Sequence, residues 1–124
     1  MNYILAIILS LFFTKSYAGW NDWDQDTKKL FVASSIAISA DYLLTRDFAK
    51  NKHMHPNAFE MNPILGRHPH HDKIDLMMVV MLVSNYYITD FIPPEQRNFY
   101  LSVRTFMHGT AAINNYMIGF RIRF

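Results

Sequence analysis

Proline sets the hardest limits on this chain. Two places interrupt what otherwise reads as helix: the pair Pro93-Pro94, and the stretch Glu60 to His71, which holds Pro63, Gly66 and Pro69. A proline lacks the N–H that a helix interior needs and pushes the residue before it towards extended dihedrals. The intervals between these breaks predict three long helices, over Leu30 to Phe48, Ile74 to Ile92 and Glu95 to Phe120. The first contains neither Gly nor Pro, and Leu76 to Val83 in the second is wholly apolar. The expected fold class is all-α: a small helical bundle of three long helices.

Before the bundle, Tyr3 to Phe13 is an apolar run broken only by Ser10. Its length of about eleven residues suits the apolar core of a secretory leader better than a bilayer span. Ser16 and Ala18 then put small residues at the −3 and −1 positions of a cut before Gly19. Residues 1–18 are therefore expected to be a signal peptide, the alternative being an uncleaved signal anchor. Residues 19–124 form the single helical domain. The 124 residues carry a net charge of +2 and no cysteine, which excludes disulfides, thiolate metal sites and cysteine nucleophiles. Basic residues are scattered rather than striped, so no nucleic-acid partner is expected.

Local chemistry predicts the joints. Asp26 or Thr27 can cap the first helix near Lys28. Asn62 before Pro63 reads as the cap and first position of a single turn, which Gly66 closes; Asp72 can cap the second helix. Trp20 and Trp23 suit either a membrane–water boundary or packing on the end of the bundle. Gly109, Ala111 and Ala112 offer a small-residue patch where another helix can approach closely.

Several polar groups stand in unusual surroundings. Ser34, Asp41 and Thr45 share one side of the first helix, and Asn85 and Asp90 intrude on the second. Arg104, His108 and Asn115 recur at four and seven residues as a polar stripe on the third. An acid within an apolar helix costs about 2.5 to 3.5 kcal/mol in lipid, so Asp41 should face other helices or water.

The Lys and Arg distribution bears on topology. If the mature N-terminus is outside, the 46–73 loop and C-terminus are cytoplasmic. They hold Arg46, Lys50, Lys52, Arg67, Lys73, Arg121 and Arg123, against Lys28, Lys29 and Arg97 outside. That asymmetry has the sign of the positive-inside rule and favours a multi-span bacterial inner-membrane protein in contact with lipid. A mean hydropathy of −0.01 is low for such a protein and keeps a soluble periplasmic bundle as the alternative.

The pattern Asp41-x-x-x-Thr45, then Glu60-x-Asn62-Pro63-x-Leu65-Gly66 and Pro69, resembles small uncharacterised membrane proteins of bacteria and their phages. The resemblance spans Phe31 to the C-terminus, and His68, His70 and His71 fall outside it. It implies a compact helical membrane domain and no particular activity.

Candidate chemistry is of two kinds. His53, His55, His68, His70 and His71 crowd one segment and could hold a divalent first-row metal. Neither group has the i, i+4 helical spacing of zinc helices, and a solvated segment that gains charge below a pH of roughly 6.5 is the plainer reading. Separately, Asp41, Glu60 and His108 could form a hydrolytic or metal centre if the loop folds back onto the helices. The structural alternative has Glu60 and Asn62 binding backbone amides while Arg104 neutralises a buried acid. The leading expectation is a structural or interaction protein of the membrane, acting on the host envelope if phage-encoded and able to take another membrane protein as partner. A metal-dependent hydrolase-like enzyme and a lysis protein are the alternatives. No cofactor is expected unless that divalent metal is present.

Overall fold

The structure is a computed structural model and describes residues 19–123; the expected leader lies outside them. Among the described residues it is all-helical, with three long helices: α1 (Gln25–Lys50), α2 (His71–Phe91) and α3 (Pro94–Met117). Single 3-10 turns occupy Trp20–Asp22 and Lys52–Met54. The helix α1 is the hub. It packs along α3 and, less extensively, along α2, while α2 and α3 barely touch.

Helix ends follow hydrogen-bonding chemistry, with three corrections to the predicted joints. First, α1 starts at Gln25 because Asp24, not Asp26 or Thr27, is its cap. The Asp24 carboxylate accepts the Thr27 N–H at 2.8 Å, which holds its pKa below the usual value. Thr27 faces inward, its hydroxyl 2.8 Å from Asn98 Oδ1 on α3. Second, His70 caps α2, its Nδ1 accepting the Asp72 N–H, and Asp72 lies in the first turn. Third, α3 ends at Met117 rather than Phe120. Gly119 at φ 109° turns the chain, while the Phe120 and Gly119 N–H groups bond to Asn115 and Tyr116 carbonyls. This is a Schellman stop, and the left-handed position suits glycine. At the remaining joint, Ile92 is extended before Pro93, and Pro94 opens α3.

Apolar packing falls into two clusters on α1. Ile38 and Tyr42 meet Leu65 of the loop and Ile74 of α2; Leu44 and Phe48 meet Ala112 of α3 and Phe120 beyond it. Ala112 thus serves the expected close approach, whereas a side chain at Gly109 would meet nothing within 4 Å. Trp23 is buried against Phe31 and Tyr86 at the end of the bundle, and Trp20 is partly exposed beside it.

The interior is unusually polar. Thr27, Ser34, Thr45, Asp47, Asn85, Thr89, Asp90 and Arg97 are all buried. Meanwhile Val32 and Ile36 on α1, Leu76, Val79, Val80 and Val83 on α2, and Phe99, Phe106, Met107 and Ile113 on α3 are exposed. Of the three helices, α2 alone among the described residues is long and apolar enough to cross a membrane.

Candidate functional site

One side of α1 carries Thr27, Ser34 and Asp41 at intervals of seven residues, and each finds a polar partner on a neighbouring helix. Seven residues make almost two helical turns, so these side chains form a single inward stripe. The lowest of them opens onto a cavity of about 270 Å³, between the α1–α3 seam and the loop that follows α1.

On the helix side, Asp41 is gripped from α3. Its Oδ2 lies 2.8 Å from His108 Nδ1, and its Oδ1 accepts from Asn115 Nδ2 at 3.1 Å. Asn115 Nδ2 also lies 3.2 Å from Thr45 Oγ1, and the Thr45 hydroxyl donates to the Asp41 carbonyl. A carboxylate on Nδ1 fixes the imidazole's orientation and, in the neutral ring, leaves Nε2 as the acceptor. Among the described residues Nε2 has no hydrogen-bond partner. The i, i+7 spacing of His108 and Asn115 makes this grip possible, since both face α1.

On the loop side, the turn from Glu60 to Gly66 closes over the cavity. Glu60 Oε1 accepts the Asn62 N–H at 2.7 Å, Asn62 Oδ1 accepts the Ile64 N–H, and the Asn62 carbonyl accepts the Leu65 and Gly66 N–H groups. Pro63 starts this turn, and Gly66 at φ 82° ends it in the left-handed region. Leu65 inserts into the core and Pro69 is buried, while Lys73 Nζ donates to the Leu65 carbonyl. Burial pushes the Glu60 carboxyl above its ordinary range. The Asn62 N–H opposes this shift and the Asp41 charge adds to it. Phe59, Met61 and Phe120 give the cavity apolar walls.

The structure therefore brings Asp41, Thr45, Glu60, Asn62, His108 and Asn115 to one cavity. Arg104 is elsewhere. Its Nη2 contacts the Met81 sulfur on α2 at 3.6 Å, and among the described residues it forms no ion pair with a buried acid, contrary to the structural alternative expected. The difference is one of rotation: from the same stripe, residue 104 reaches α2 while His108 and Asn115 face α1.

The histidines part company. His53 is exposed; His55 packs its ring on Phe120 and His68 lies near Phe48. His70 and His71 come together with Asp72, their ligand atoms within 4.8 Å of one another. Both Nδ1 atoms lie against the Asp72 carboxylate, at 3.2 and 3.0 Å, at the exposed start of α2. They are the residues that could hold a divalent metal, although the positive end of the helix dipole opposes a cation there.

Asp47 is a polar centre that sequence reasoning missed. Its buried carboxylate accepts from Asn51 Nδ2 and from the Arg121 N–H, and pairs with Arg123 Nε at 3.1 Å. It ties the C-terminal segment to the end of α1. The available signal was its place between Leu44 and Phe48 on the buried side of α1.

No protein-family model, curated protein or solved structure matches this chain.

Proposed function

We propose that this chain is a small helical membrane protein of structural or interaction type, with its loop end on the cytoplasmic side. The observation that carries this reading is the inverted distribution of polarity. Exposed apolar side chains cover all three helices, while Ser, Thr, Asn and Asp side chains bond one helix to another inside. In water the outer surface would be an aggregation hazard; in lipid it is the favourable arrangement. Charges support the same reading. Between Leu30 and Thr45, Asp41 is the one charged residue and it faces inward, and Arg104 is the one Lys or Arg between Asn98 and Phe120. Alkaline carbonate treatment of membranes tests it. The protein should stay in the pellet and leave it only with detergent; release by carbonate alone overturns the reading.

A second reading rests on the Asp41–His108 pair facing the raised-pKa carboxyl of Glu60 across a cavity. An oriented imidazole and a carboxyl that tends to hold its proton are the parts of an acid–base hydrolytic site, with or without a divalent metal. Detergent-purified protein would be screened on ester, amide and phosphodiester substrates, with and without Zn²⁺ or Mg²⁺. Turnover that disappears in His108→Ala, while that variant keeps its membrane location, supports the enzyme. Absence of turnover in the parent chain removes it.

A further inference from the structure

At the opposite end of the bundle, the Gly19 N–H donates to Asp90 Oδ1 at 3.0 Å. The same oxygen accepts the Trp23 indole N–H at 2.9 Å, and Asp90 is buried, at 4% exposure. Both donors are neutral. Arg97, the buried cation at this end, is otherwise engaged: Nε donates to the Thr89 carbonyl, Nη2 to the Asp90 carbonyl, and the guanidinium lies over Trp23. Among the described residues, no cationic side chain lies within 4.0 Å of the Asp90 carboxylate. A buried carboxylate so placed calls for a full positive charge.

We propose that an envelope signal peptidase hydrolyses the Ala18–Gly19 peptide bond, and that the Gly19 ammonium so formed becomes the counter-ion of Asp90. Water supplies the atoms. The Ala18 C–N bond breaks, hydroxide adds to the Ala18 carbonyl carbon, and a hydrogen goes to the Gly19 nitrogen. Near neutral pH the proton lost by the new carboxyl is taken up by the new amine, whose ordinary pKa is about 7.7 to 8.0. Two features on either side of the bond agree. Ser16 and Ala18 supply the small residues the peptidase needs at −3 and −1. Gly19 adopts φ 74°, a conformation other residues resist, and in it the Gly19 N–H points at Asp90 Oδ1. Cleavage turns a neutral amide donor into a charge-assisted one at the same position. The end of the bundle is thus completed by processing.

The test uses the full chain, expressed with its leader in a bacterium and recovered from membranes. Intact mass and N-terminal sequencing should show a chain that begins at Gly19; any other start overturns the proposal. Ala18→Leu puts a bulky residue at −1 and should keep the leader attached. Asp90→Asn is then made in both backgrounds and thermal midpoints are read in mild detergent. The substitution should lower the midpoint of the processed chain by about 5 °C or more, and shift the uncleaved chain less than half as far. Equal shifts in the two backgrounds overturn the proposal. If Asp90→Asn prevents accumulation, loss confined to the processed chain supports it and loss in both overturns it.

Discussion

Removing either member of the Asp41–His108 pair leaves a different problem behind. Without His108, the Asp41 carboxylate keeps only the Asn115 amide in a largely enclosed site. Without the Asp41 charge, the imidazole loses only a charged partner, since the Asn115 side chain and an amide oxygen at position 41 remain. His108→Ala should therefore cost about 2 kcal/mol and Asp41→Asn about 1, read from thermal unfolding in detergent. Equal costs would mean that the pair acts only through packing. Glu60 gives a pH signature of its own. A carboxyl whose folded pKa is raised favours the folded state fully below its unfolded pKa. That contribution is lost as pH rises through the folded value. Glu60→Gln keeps an acceptor for the Asn62 N–H without the charge. It should stabilise the protein at pH 7, and the gain should shrink as pH falls through the raised pKa in a midpoint-against-pH series.

Between helices, the Ser34–Asn85 bond is the cleanest test of the polar stripe. Asn85 is fully buried, its Nδ2 donates to Ser34 Oγ at 2.8 Å, and its Oδ1 has no partner. Ser34→Ala should cost about 1 to 3 kcal/mol by stranding the amide, and adding Asn85→Leu should recover most of the loss. A double variant as weak as the single one would show that packing, not pairing, holds α1 to α2. The same elements show what the amino-acid order makes legible. Pro93-Pro94 and Asn62-Pro63-Gly66 act through their own backbone, so the α2–α3 joint and the loop turn were readable locally. His108 and Asn115 were readable as a pair because helical periodicity puts them on one face. The cap of α1 was not, since Asp24, Asp26 and Thr27 all have suitable side chains within four residues. Nor was the partner of Arg104, because that depends on how far each helix is rotated about its axis. Asp47 escaped notice because two of its partners, Arg121 and Arg123, are brought back by the Gly119 turn rather than by periodic spacing.

For the molecule as a whole, the proposed topology predicts the fate of a reporter. Green fluorescent protein fused after Phe124 should fluoresce, as it does in the cytoplasm and not after export in unfolded form, while alkaline phosphatase at the same position should be inactive. The opposite pattern would reverse the orientation drawn from Arg46, Lys50, Lys52, Arg67, Lys73, Arg121 and Arg123. A last consequence concerns the order of synthesis. The polar stripe of α1 is completed by α3, the last helix made: Asp41 meets His108 and Asn115 across separations of 67 and 74 residues. At about 5 to 20 residues per second, α1 leaves the ribosome some 4 to 15 seconds before its partner does. During that interval the Asp41 carboxylate lacks both of its α3 partners, and a hub helix carrying it is a poor substrate for release into lipid on its own. On the proposed membrane reading, the insertion machinery would hold α1 until α3 arrives, and the two would enter lipid as a pair.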